Sequence, residues 1–96
     1  MAQDLDPQFF DRADAVIRLA NEQLADANRG QVSASSLYAA SRFNAWVATS
    51  ACPTVEDARR SRDEILEYFT RQYRAMLKEN LDDYIENFHT YVKPIS

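Results

Sequence analysis

Glycine occurs once and proline three times in 96 residues. Tight turns and hairpins depend on those two residue types, so their scarcity excludes a strand-rich fold and favours helices. Cysteine also occurs once, as Cys52, which rules out an internal disulfide. It stands before Pro53 at the end of an expected helix, with no histidine beside it in sequence. It reads as a small core or turn residue rather than a reactive thiol. Basic charge is in deficit: 11 Lys and Arg face 15 Asp and Glu, for a net charge of −4. A protein that grips the phosphate backbone carries the opposite balance, so no nucleic-acid partner is expected. Arg59, Arg60 and Arg62 do cluster, but Glu56, Asp57, Asp63 and Glu64 stand among them and leave a solvated face.

No apolar run approaches the ~20 residues of a membrane span. The opening "MAQDLDPQFF" is acidic and has neither the basic nor the apolar region of a secretory signal. The expectation is a cytoplasmic protein with no membrane partner. A P-loop, a dinucleotide fingerprint, a paired-cysteine zinc site and an EF-hand loop are all missing. The single histidine, His89, is poor material for a nucleophilic triad. An enzyme is not expected, and no cofactor is implied.

What is present is helical periodicity. The chain is 46% hydrophobic and 27% charged, a globular composition, and its length predicts one domain over residues 1–96. A chain of this size buries roughly 60–65% of its unfolded surface, enough for one core but not for a deep cavity. The first helix is predicted over about 7–28. Asp6 is a suitable N-cap and Pro7 suits the first helical position. Phe10, Ala13, Ile17, Ala20, Leu24 and Ala27 then recur at spacings of three and four. "ANRGQ" reads as the stop, with Gly30 in a left-handed turn and Arg29 at the negative end of the dipole. A second helix is predicted over about 34–51, capped by Ser33 and closed by "ACPTV". The third runs over about 54–90 from a Thr54 cap. Pairs such as Glu56–Arg60, Arg59–Asp63, Arg60–Glu64, Glu67–Arg71 and Lys78–Asp82 support it, at a few tenths of a kcal/mol each.

Short connections make successive helices antiparallel, so the expected fold is all-α, an up-down-up three-helix bundle with one mismatch. The first two helices are about 30 Å long and the third about 54 Å at ~1.5 Å per residue. The overhang "LKENLDDYIENFHTYV" still carries Leu77, Leu81, Tyr84, Ile85, Phe88, Tyr91 and Val92. Either the third helix bends near Asn80 and folds back, or the overhang extends into a dimer interface, since long exposed apolar stripes mark contacts. Predicted core residues are Phe10, Ala13, Ile17, Leu24, Leu37, Phe43, Val47, Ile65, Phe69 and Met76. The candidate self-interface is Leu81, Tyr84, Ile85, Phe88 and Tyr91.

"SLYAASRFNAWVATSA" places two polar residues in an otherwise apolar helix. On a helical wheel Asn44 falls among Leu37, Ala40, Val47 and Ala51, the expected core face. A buried amide left unpaired costs roughly 1–3 kcal/mol, so a partner is needed, and Asn21 of the first helix stands at a matching level. An Asn21–Asn44 tie fixing helix register is the structural expectation. Arg42 points the other way, one turn from both Tyr38 and Trp46. Two readings compete for this stripe. In one, Arg42 stacks on its helical neighbours or pairs with Asp63, Glu64 or Glu67. In the other, Tyr38, Arg42 and Trp46 form a binding surface, because these residue types dominate interface hot spots.

The one pattern with catalytic overtones is "ENFH", a Glu-x-x-His at Glu86 and His89. Di-iron bundles use that element twice with two further glutamates, so a metal site here requires two copies of the chain. Glu79, Asp82, Asp83 and Glu86 recur at helical spacing and read as a solvated face. The segments "FFDRADAVIRLANEQ", "VSASSLYAASRFNAWVA" and "EILEYFTRQYRAMLKENLDDYIEN" together resemble a family of short, all-helical proteobacterial proteins of unknown function. The likeness runs from about Phe9 to Asn87. It includes Phe10-Asp11-Arg12-Ala13-Asp14, Ile17-Arg18-Leu19-Ala20-Asn21 and Ala40-Ser41-Arg42-Phe43-Asn44-Ala45, with Ser41 departing from an Ala in that slot. The resemblance implies a compact cytoplasmic helical protein and transfers no activity. The leading expectation is a non-catalytic protein-interaction or accessory module that self-associates through the C-terminal half of the third helix. The alternative is a metal site at a dimer interface around Glu86 and His89, and a nucleic-acid accessory role ranks last.

Overall fold

Asparagine 28 and glutamine 31 decide where the chain turns its first corner. In the computed structural model, which describes residues 6–92, the Asn28 side-chain oxygen accepts from the Gln31 backbone N–H at 2.8 Å. The Gln31 side chain accepts from the Asn28 N–H at 3.0 Å in return. This reciprocal capping box satisfies two of the orphan donors at a helix start. Ala27 and Val32 occupy the flanking positions of a hydrophobic staple, and both are withdrawn from solvent.

Among the described residues the chain forms four helices and no strand: α1 (Phe9–Gln23), α2 (Arg29–Ser50), α3 (Val55–Glu86) and α4 (Phe88–Tyr91). The all-α expectation holds. The boundaries correct the sequence reading in several places. The first helix starts at Phe9, because Asp6 and Pro7 form a turn instead: Asp6 accepts from the Gln8 N–H at 3.0 Å through its side chain and from the Phe9 N–H at 3.1 Å through its carbonyl. It ends at Gln23 rather than 28. Helix α2 begins about one turn before Ser33, and Gly30 lies inside its first turn with no positive φ. The glycine was expected to end a helix; the stronger local signal was the Asn28–Gln31 pair.

Thr54 caps α3 as expected. Its backbone is extended, its hydroxyl oxygen accepts from the Asp57 N–H at 3.1 Å, and the hydroxyl donates to the Asp57 carboxylate at 2.9 Å. Pro53 precedes the cap, where a missing N–H costs nothing. Helix α3 is continuous through Asn80, whose amide donates to the Met76 carbonyl at 2.9 Å. Of the two alternatives for the third helix, a fold-back at Asn80 or a continued helix, the helix continues. The helix is interrupted instead at Asn87, which leaves helical geometry while its side-chain amide donates to the Asp83 carbonyl and carboxylate. A competing side-chain bond of this kind loosens the backbone ladder. Of the expected ion pairs, Glu67–Arg71 at 3.7 Å and Lys78–Asp82 at 3.0 Å form. Arg59 pairs with Glu56 instead, and Arg60 takes Asp57 at 2.6 Å.

The chain divides into two compact units, residues 1–47 and 48–96. The first holds α1 and most of α2; the second holds the last turn of α2 with α3 and α4. Among the described residues Val32 alone is a buried hydrophobic, at 6% exposure. Of the predicted core, Ala13, Ile65 and Phe69 are half-buried. Phe10, Ile17, Leu24, Leu37, Phe43, Val47 and Met76 are exposed, Phe10 at 67%, and the half-buried Phe9 stands in for Phe10. An apolar stripe on a helix is about 100° wide, and a single neighbour covers only part of it. No helix among the described residues is long and apolar enough to cross a membrane.

Candidate interaction surfaces

Two apolar surfaces are left open, one in each unit. In the first unit, α1 and α2 enclose a groove of about 520 Å³. Val16, Leu19, Ala20 and Gln23 form its α1 wall; Ser35, Ser36, Ala39, Ala40, Phe43 and Asn44 form its α2 wall. Val16 and Leu19 escaped the sequence reading, which followed the neighbouring stripe through Ala13 and Ile17. Their signal was the second run at positions 16, 19, 20 and 23, also spaced by three and four.

Asn44 is half-buried on this wall and Asn21 is exposed. Among the described residues no hydrogen bond links the two amides, and no buried side-chain nitrogen or oxygen is left without a partner. Tyr38, Arg42 and Trp46 are all exposed on α2. The Trp46 ring packs against Phe43 with centroids 5.8 Å apart, and Ser41 donates to the Tyr38 carbonyl at 2.8 Å. Two of the carboxylates considered as partners for Arg42 pair along α3: Asp63 with Arg62 at 2.9 Å and Glu67 with Arg71.

In the second unit the stripe of α3 changes character along its length. Ala58, Ser61, Ile65 and Phe69 are half-buried, spaced as one helix face. Beyond Phe69 every residue through Glu86 is exposed. Tyr73, Leu77, Leu81, Tyr84 and Ile85 continue the apolar stripe, with Ile85 at 69% exposure, and Phe88, Tyr91 and Val92 extend it past the break. Tyr84 and Tyr91 meet edge to face at 4.9 Å. The five residues expected to form a self-interface, Leu81, Tyr84, Ile85, Phe88 and Tyr91, are all exposed.

Glu86 and His89 fall on opposite sides of the Asn87 interruption, Glu86 ending α3 and His89 lying in α4. The continuous helix that their three-residue spacing presupposes is absent. His89 packs its ring against Phe88 at 5.7 Å. Among the described residues, no three His, Cys, Asp or Glu side chains are grouped to hold a metal ion. Asp82 and Asp83 are engaged by Lys78 and Asn87. Two carboxyls are held below the usual aspartate range. Asp6 is lowered by the Gln8 N–H and by Arg12, and Asp57 by Arg60 and by the Thr54 hydroxyl. Both stabilise helix starts, and neither has the raised pKa of a general acid.

Fold and surfaces together define a small all-α protein with exposed helix faces. The chain belongs to the DUF3144 family, described as a protein of unknown function, whose model matches residues 9–85. It is also similar to the NMR structure of the protein NB7890A from Shewanella sp., at 35% identity and a TM-score of 0.76, covering 95% of this chain and 97% of that one. No curated protein matches the chain.

Proposed function

We propose that this chain is a small cytoplasmic, non-catalytic interaction or accessory module that self-associates through the C-terminal half of α3. The observation that carries the reading is the run of exposed apolar side chains at Tyr73, Leu77, Leu81, Tyr84 and Ile85 on the capped and ion-paired α3, followed past the Asn87 interruption by the exposed Phe88, Tyr91 and Val92. Contiguous apolar patches beyond a few hundred Å² are rare on monomers and mark contact surfaces. The exposed Tyr38, Arg42 and Trp46 supply a second surface of the residue types that anchor interfaces. The lone Cys52, with no second thiol in the chain, fits a reducing compartment.

Light scattering across a concentration series tests this reading, with Phe88→Glu and Leu81→Glu measured beside the parent chain. A dimer is expected, reduced to monomer by either substitution, with helix content by circular dichroism retained. A parent chain that stays monomeric at every concentration overturns it.

A further inference from the structure

The corner at Asn87 divides a pattern that the sequence writes without a break, and we infer that it is a latched hinge that restrains self-association. With the latch released, α3 runs on through residues 88–91 and sets Phe88 and Tyr91 in line with Leu77, Leu81 and Tyr84. The hinge itself lies within the second unit; its consequence for association rests on the reading proposed above.

Three observations carry it. The first is periodicity. Leu77, Leu81, Tyr84, Phe88 and Tyr91 are spaced by four, three, four and three. That is the seam of a helix that packs along its length, and it crosses Asn87 with no residue gained or lost. Glycine and proline are both missing between Pro53 and Pro94, so no residue type in this stretch obliges the helix to stop.

The second is how little backbone the corner uses. Asn87 has φ −108° and ψ 29°, against about −63° and −42° in an α-helix. Helical bonds stand on both sides of it. The Asn87 N–H donates to the Asp83 carbonyl at 3.0 Å, and the Tyr91 N–H donates to the Asn87 carbonyl at 2.9 Å. The Thr90 N–H shares that carbonyl at 3.0 Å, where a continuous helix would direct it to Glu86. Straightening is a rotation at one residue, with φ negative throughout.

The third is that two side-chain contacts hold the corner closed. The Asn87 amide donates to the Asp83 carbonyl at 3.0 Å and to the Asp83 carboxylate at 2.9 Å. Asn80 donates to the Met76 carbonyl, and its helix continues; the carboxylate is what position 87 adds. Tyr84 and Tyr91 then meet edge to face, with centroids 4.9 Å apart. On a continuous helix, residues seven apart stand about 10.5 Å apart along the axis, and their rings lean the same way. The ring contact therefore belongs to the cornered form, and it turns two residues of the expected self-interface onto each other. Association can shift the hinge only through contacts that one form offers and the other lacks, and the straight form offers the unbroken seam.

Nuclear magnetic resonance on the full chain tests the hinge, in the Leu81→Glu background that keeps the chain monomeric. Two substitutions release the latch by different routes. Asp83→Ala removes the carboxylate and leaves Asn87 in place. Asn87→Val removes the donor while keeping a similar helix propensity. The expected result is a Tyr84–Tyr91 ring-to-ring Overhauser signal in the background chain. In both variants it is lost, and helical signals three residues apart appear at 85–88 and 86–89. A background chain without the ring signal, or variants that keep it, overturns the hinge. Dilution followed by light scattering, without Leu81→Glu, then reads the consequence: Asp83→Ala should lower the dimer dissociation constant at least about threefold. A straightened variant that dimerises no more tightly than the parent overturns the restraint. If no chain dimerises at any concentration, self-association and the restraint fall together, and the resonance signals still decide the hinge.

Discussion

Helices α2 and α3 are held in helical form by different means. α3 has a threonine cap, two acidic residues in its first turn and five ion pairs along its length. α2 has the Asn28–Gln31 box, one internal arginine and, among the described residues, no ion pair. Its apolar residues Leu37, Tyr38, Phe43 and Trp46 point to several sides and are all exposed. The large apolar side chains of α2 are spread around the helix rather than gathered into one stripe. α3 is written locally, through its cap and its ion pairs; α2 has little beyond its cap.

The sharpest way to break that contrast is at Val32, the buried residue of the α2 start. Val32→Ala should cost about 2 kcal/mol, the transfer of two methyl groups plus a partial cavity, measured by urea unfolding. A loss under about 0.5 kcal/mol would mean that α2 is held by its cap alone.

At the start of α3, Thr54→Ala should cost about 1 kcal/mol. It should also change the acid response. The native fold holds the Asp57 carboxyl below its ordinary value, through Arg60 first and Thr54 second. Its contribution is therefore complete above about pH 4 and is lost as pH falls through the lowered value. Without the threonine hydroxyl that value moves back up, so the variant's stability should fall less steeply below about pH 4. Identical acid slopes in denaturant titrations would show that Thr54 does not reach the carboxylate.

The smallest effect sharpens the comparison most. A methyl group at Gly30 meets only the Asn28 side-chain oxygen, at an ordinary 3.5 Å, and the residue has no positive φ. Gly30→Ala should therefore stabilise α2 by about 0.5 kcal/mol, chiefly by restricting the unfolded chain. A lower melting temperature would restore the left-handed turn that the sequence reading placed there.

That misplacement shows what kind of information is local. Thr54 with Asp57 was legible because a cap needs only four consecutive residues. "ANRGQ" contained two instructions, a glycine able to end a helix and an Asn–Gln box able to start one, and the box prevailed because it satisfies two backbone donors while the glycine satisfies none. The Asn87 interruption was illegible for a similar reason: asparagine continues a helix at position 80 and interrupts it at position 87, according to what its amide finds. The exposed Leu81–Tyr91 surface was readable as an apolar stripe longer than its neighbours. The groove was not, since Val16 and Leu19 become a wall only when Ala39 and Phe43 stand opposite.

By itself the sequence determined an all-α chain, the Thr54 start and the long run of α3, the absence of an internal disulfide, and an apolar stripe that outlasts the first two helices. These follow from residue spacing, capping and charge pairs, which act within one or two helical turns. The tertiary structure alone decided which side chains leave water. It buries Val32, withdraws Phe9 in place of Phe10, and leaves Phe43 and Ile17 exposed, because burial depends on which neighbour stands across a groove, and no stretch of sequence contains its own neighbour.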